Sequence, residues 1–153
     1  INEVVKHGIY PVLIEQPVHK NDLAGMKYVR DNTEIIVCAD ESVFTRADAI
    51  DIVRTGCADA INIKLMKSCI IEALDIAAIA RSANLKLMIG CMVETNLALG
   101  CAVHFAAGVG GFEFVDLDPS FDASECPVKG GPVYKAPYWT IGPEPGLGFL
   151  GRH

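Results

Sequence analysis

Short apolar runs recur along the chain at Val12-Leu13-Ile14, Ile35-Ile36-Val37, Ala60-Ile61-Asn62-Ile63, Leu87-Met88-Ile89 and Phe112-Glu113-Phe114-Val115. Each leads to a charged residue at or just past its C-terminal end: Glu15, Asp40, Lys64, Glu94 and Asp116. The runs are too short for helices and read as buried strands. The segments between them carry helical spacing. Asn21-Asp22 can cap a helix to about Asp31, and Thr45 can cap another that closes at Gly56. Ile70-Ile71, Leu74, Ile76-Ala77 and Ile79-Ala80 predict a third, and a fourth runs from about Asn96 to Ala107, ended by the glycines that follow. Ahead of the first strand, residues 1–7 read as a helix end stopped by Gly8. Strand then helix, repeated about every 25 residues, predicts parallel β/α architecture, in which ligands gather at the C-terminal ends of the strands.

Five such units fit slightly more than half of an eight-fold (β/α) barrel. The rival is a doubly wound sheet. Against it, no glycine-rich phosphate loop follows the first strand, and Gly108-Val109-Gly110-Gly111 precedes a strand instead of opening a helix. The pattern stops after Asp118. The division expected is a partial barrel over residues 1–118 and an irregular tail over 119–153, rich in proline and glycine, that packs on the barrel or on a further domain.

Composition narrows the function. The 153 residues are 51% hydrophobic with net charge −6, which supports one packed core and disfavours a nucleic-acid or anionic-membrane surface. The uncharged stretch from Thr95 to Phe112 is mostly alanine and glycine, too weakly hydrophobic for a membrane span, and is expected to pack on the sheet. Of six cysteines, Cys38, Cys69 and Cys101 fall inside apolar patterns and read as reduced core residues, which implies a reducing compartment such as the cytoplasm. The pattern neither requires nor excludes a homo-oligomer.

The strand-end charges are the candidate chemistry. Glu15 and Asp40 occupy equivalent places on neighbouring strands, so their carboxylates should enter one barrel mouth, where two hard oxygens suit Mg²⁺. Lys64 stands at the end of the third strand beside that site. A lysine there serves as a Schiff-base former or as a proton-transfer base, and an adjacent divalent cation would lower its pKa enough for the second role. Any one of these residues alone would read as a solvated strand-end charge. His19, Lys67 and Trp139 carry no function that the sequence specifies.

Taken together, Ile14-Glu15-Gln16-Pro17, Ala39-Asp40-Glu41-Ser42, Asn62-Ile63-Lys64, Gly90-Cys91-Met92-Val93-Glu94 and Asp116-Leu117-Asp118 resemble the enolase superfamily. The likeness is to its muconate-lactonising-enzyme/mandelate-racemase-like subgroup, and most of all to the dipeptide epimerases. That resemblance implies abstraction of a proton α to a carboxylate through a Mg²⁺-stabilised enediolate. It makes Glu15 and Asp40 metal ligands, Glu41 a carboxylate behind them, and Lys64 one of two acid/base lysines. It gives Asp116 and Asp118 the free ammonium of a dipeptide substrate, a role their i, i+2 spacing on a strand would suit. A turn after a strand would use the same residues. Cys91 and Glu94 would line the substrate pocket, though Cys91 could merely pack and Glu94 could merely cap the helix near Asn96.

By the same resemblance, a Lys-x-Lys strand, a third metal-ligating Asp and an N-terminal capping domain should precede these residues. The expectation is therefore the C-terminal part of an isomerase, with Trp139 and residues 132–148 facing the capping domain. Two alternatives stand beside it. One is a cycloisomerase or succinylbenzoate-synthase-like lyase, which the paired aspartates disfavour because such substrates bring no ammonium. The other is a truncated remnant that is not an enzyme.

Overall fold

The computed structural model describes residues 2–118 and 128–150; Pro119 and Cys126 lie outside the described residues. After the short helix α1 (Asn2–Lys6), five strands alternate with four helices: β1 (Leu13–Glu15), α2 (Leu23–Asp31), β2 (Ile36–Ala39), α3 (Arg46–Thr55), β3 (Ala60–Ile63), α4 (Leu65–Ser82), β4 (Lys86–Gly90), α5 (Asn96–Val109) and β5 (Phe112–Asp116). The strands form one parallel sheet in the order β1-β2-β3-β4-β5. Strictly sequential order belongs to a barrel wall, since doubly wound sheets reverse direction at a switch point. The sheet is a half-barrel.

Local chemistry explains the boundaries. The Asp22 carboxylate accepts from Gly25 N at 2.8 Å and caps α2. Thr45 and Asp48 cap α3 reciprocally, and Gly56 closes it in the left-handed conformation at φ 59°. Alternation along the strands then separates two faces. Val37, Ala39, Ile61, Ile63, Leu87 and Ile89 pack beneath the helices against Ala49, Ile52, Ala73, Ile76 and Ala77. Cys38, Ala60 and Met88 face the barrel interior with Leu13, Ile36 and Phe114.

A bulge re-aims β5. Leu87 pairs with Phe112 but Met88 pairs with Phe114, so one extra residue, Glu113, sits in β5. Phe112 consequently packs with the helix-side core while Phe114 faces the interior. Gly90 then pairs with Asp116, which places Asp116 on the interior face at the strand's C-terminal end.

Three features depart from the sequence reading. Cys69 is exposed, because α4 breaks there at φ 55°, ψ −177° and the apolar phase restarts beyond it. Cys38 and Cys57 are buried, whereas Cys91 and Cys101 are half-buried. The described part of the tail is also not wholly irregular. It holds two antiparallel ribbons: β6 (Lys129–Gly130) with β9 (Phe149–Leu150), and β7 (Val133–Lys135) with β8 (Tyr138–Thr140).

The ribbons are fastened to the barrel. Phe149 lies on α5 at Gly100, where a Cβ would come within 2.6 Å of its ring. Trp139 packs against the helix-side core and its Nε1 donates to Leu117 O at 3.0 Å. Among the described residues, no helix is long and apolar enough to cross a membrane; the Thr95–Phe112 stretch forms α5 on the sheet.

Candidate active site

The C-terminal ends of β1, β2 and β3 meet at a cavity of about 580 Å³ lined by Glu15, Asp40, Glu41 and Lys64 together with Gln16, Val18, His19 and Lys20. The register explains the convergence. Glu15 pairs with Cys38 and Cys38 with Ala60, so counting by twos puts Glu15, Asp40, Asn62 and Lys64 on the interior face.

Lys64 is the hub. Its Nζ lies 2.6 Å from Asp40 Oδ2 and 4.0 Å from Glu15 Oε1, and its side chain is only 12% exposed. Asn62, fully buried, donates from Nδ2 to the same Glu15 oxygen at 2.6 Å. Its Oδ1 is buried with no hydrogen-bond partner. Gln16, at the left-handed φ of 39°, receives Asp40 N–H at 3.0 Å and Ser42 N–H at 3.2 Å on one oxygen. Its amide donates to Ser42 Oγ at 2.8 Å, which locks the loops after β1 and β2 together. Glu41 is exposed at the rim.

Electrostatics split the two carboxylates. Burial pushes the Glu15 carboxyl above its usual range, and neighbouring Asp40 adds to the rise against the opposing Asn62 hydrogen bond. Burial acts the same way on Asp40 but is outweighed by hydrogen bonds from Lys64 and Lys67, so Asp40 is held below its usual value. Burial works to lower Lys64, yet the hydrogen bond and charge of Asp40 prevail and raise it. The lowering expected beside a divalent cation is thus not produced by the protein's own groups, which favour the ammonium.

The other candidates gather at the ends of β4 and β5, outside the lining of that cavity. Burial raises the Cys91 thiol, opposed by a hydrogen bond from the Asp118 backbone and reinforced by the charges of Asp116, Glu94 and Asp118. Glu94 is buried and its Oε1 accepts Met92 N–H at 2.9 Å. It does not cap α5, because Thr95 does so by accepting from Ala98 N. Asp116 and Asp118 are both exposed with Leu117 buried between them. Asp118 lies past the strand, so the i, i+2 argument places only Asp116.

Lys67 is the residue the sequence reading missed. Its side chain is 1% exposed and its Nζ pairs with Asp40 Oδ1 at 2.5 Å. No signal in the sequence isolates it. Asn62 was findable, as a polar residue inside an apolar strand two positions before Lys64, hence on its face.

The chemistry of the donor set fits a hard divalent cation in part. Two carboxylates already converge on a positive charge, the Lys64 ammonium, and a lone carbonyl oxygen of Asn62 is unused beside them. Among the described residues no group of three His, Cys, Asp or Glu side chains is placed to hold a metal. Remaining ligands would have to come from water, substrate or another segment.

Residues 3–150 match the family described as enolase C-terminal domain-like. The chain belongs to that family. This enolase-family chain is 45% identical over 138 residues to the L-Ala-D/L-Glu epimerase of Thermotoga maritima, covering 90% of this chain and 40% of that protein. It is 40% identical over 152 residues to the L-Ala-D/L-Glu epimerase of Bacillus subtilis, covering 99% and 42%. Its backbone superposes on a substrate-liganded structure of the latter with a TM-score of 0.94 over 100% of this chain and 43% of that one, at 40% identity. A dipeptide epimerase from Enterococcus faecalis, complexed with Mg and L-Leu-L-Tyr, gives a TM-score of 0.90 at 40% identity, again over 100% of this chain and 43% of that one. The chain spans about two fifths of the length of these relatives.

Proposed function

We propose that this chain is the C-terminal part of a Mg²⁺-dependent dipeptide epimerase that removes and returns a proton α to a carboxylate. The observation that carries the reading is Lys64, held between Glu15 and Asp40 at the interior C-terminal edge of the half-barrel. The names of the relatives add the substrate class: L-Ala-D/L-Glu and other dipeptide epimerases.

Glu15 and Asp40 would hold the cation, with Glu41 at the rim supplying further negative charge. Bound Mg²⁺ supplies positive charge opposite the charge that develops on the substrate carboxylate. Lys64 takes the α-proton on Nζ and must be neutral to do so. Its ammonium is stabilised by Asp40, so engagement of that carboxylate elsewhere frees Lys64 to lose its proton. Lys64 then returns a proton from the same nitrogen, or a group on the opposite face of the substrate carbon does. That second group lies outside the residues identified in this chain.

Asp116, exposed at the end of β5, and Asp118, exposed just past it, both close to Cys91, would receive the substrate's ammonium, with Cys91 and Glu94 lining the approach. The same pair weighs against a cycloisomerase or lyase, whose substrate would bring no cation to it. The test is Mg²⁺-dependent α-proton exchange from L-Ala-L-Glu in D₂O, on this chain and on a form extended at the N-terminus. Exchange in the extended form supports the reading; silence from both supports another substrate class or a non-catalytic remnant.

A further inference from the structure

Lys67 is the most completely enclosed charge in the site. Its ammonium has three protons to donate and spends them on three oxygens: Asp40 Oδ1 at 2.5 Å, Asp40 O at 2.7 Å and Asn62 O at 3.0 Å. The Phe44 ring stands 5.7 Å from Nζ. With 1% exposure and no donor left, Lys67 has nothing to offer a substrate. Whatever it contributes passes through Asp40.

The two lysines divide that carboxylate. Lys67, outside the cavity lining, holds Oδ1, and Lys64, which lines the cavity, meets Oδ2. Backbone geometry enforces the division. Lys67 N and Ser68 N both bond to Lys64 O, closing a turn, and the chain breaks at Cys69 before the long part of α4 begins. From that turn Lys67 also donates to the carbonyls of Asp40, just past β2, and Asn62, near the end of β3.

We propose that Lys67 is a positioning residue: a buried counter-ion that fixes the rotation of the Asp40 carboxylate and keeps Oδ2 directed into the cavity when Lys64 lets go. This rests on the cation-site reading above. A cation entering beside Oδ2 competes with Lys64 for it but not with Lys67, whose hold on Oδ1 is out of reach. Asp40 is thereby presented in one orientation whether Lys64 is paired or free.

The test compares Lys67→Met with wild type in the extended protein, reading Mg²⁺ affinity by titration calorimetry, metal-free thermal midpoint, and kcat against KM for L-Ala-L-Glu. Loss of a group that orients a metal-binding carboxylate predicts about 10- to 100-fold weaker Mg²⁺ binding, with kcat falling further than KM changes. Wild-type Mg²⁺ affinity in a folded Lys67→Met variant would overturn the proposal.

The metal-free midpoints close a cycle with Asp40→Asn and Asp40→Asn/Lys67→Met. A Lys67→Met loss that shrinks once Asp40 is neutral is the expected result, and additive losses would overturn it. That cycle needs no cation, so it decides the role of Lys67 even if wild type binds no Mg²⁺ and the cation reading fails. If Lys67→Met does not fold, recovery of folding in the double variant assigns the fault to an unpaired Asp40. Failure of the double variant as well would make Lys67 a support of the turn alone and overturn the proposal.

Discussion

The side-chain amide of Asn62 occupies the space in which a side chain on Gly90 would begin. A Cβ at position 90 would lie 2.6 Å from Asn62 Nδ2 and 2.7 Å from Oδ1. That vacancy on β4 leaves room for the amide of Asn62 on β3, which reaches Glu15 on β1. The absence of one methyl group thus bears on the position of a candidate metal ligand three strands away.

Gly90→Ala should therefore push Asn62 off Glu15 or shift β4. An overpacked interior of this kind costs about 1–3 kcal/mol, readable as a lower urea midpoint. An unchanged midpoint would mean that Asn62 has room to move that the structure does not give it.

Cys69 presents the opposite case. Its φ of 55° with ψ near −177° is a conformation that only glycine adopts without strain, and its exposed side chain gives up little burial when removed. Cys69→Gly should raise stability by about 1 kcal/mol, the lower end of the strain that such backbone stores. A fall in the urea midpoint would show that the thiol packs usefully.

Asp48 gives a pH signature. Partial burial works to raise its carboxyl, but bonds from the Phe44 and Thr45 backbones and the Thr45 hydroxyl outweigh it and hold the carboxyl low. A depressed folded-state pKa contributes stability that is present above the unfolded value of 3.8 and lost as pH falls through the folded value. Asp48→Asn should then cost about 1 kcal/mol at neutral pH, as loss of a capping interaction does. The gap to wild type should close below the ordinary carboxylate range; a gap independent of pH would rule out the charge as its source.

The strands and the residues at their ends were legible because parallel strands buried on both faces read as unbroken apolar runs, and because Glu15, Asp40 and Lys64 recur at one phase of the repeat. Sequential strand order then brings them to a single cavity. Lys67 was not legible, since it stands ahead of the apolar helix pattern that begins at Ile70, and its burial depends on the turn closed at Lys64 O and the break at Cys69. The same break explains why Cys69 read as core. The tail ribbons escaped because strands of two or three residues carry no periodicity, and β6 finds its partner in β9, about 20 residues further on. Trp139 is half-buried and bonded to Leu117 O, between Asp116 at the end of β5 and Asp118 beyond it.

The central claim is that Lys64 moves the α-proton, and its most direct test is deuterium incorporation from D₂O into L-Ala-L-Glu by the N-terminally extended protein with Mg²⁺, wild type against Lys64→Ala. Removal of a proton-transfer base should slow incorporation by about 10²- to 10⁴-fold while Mg²⁺ binding persists. Incorporation at the wild-type rate in Lys64→Ala would contradict the account.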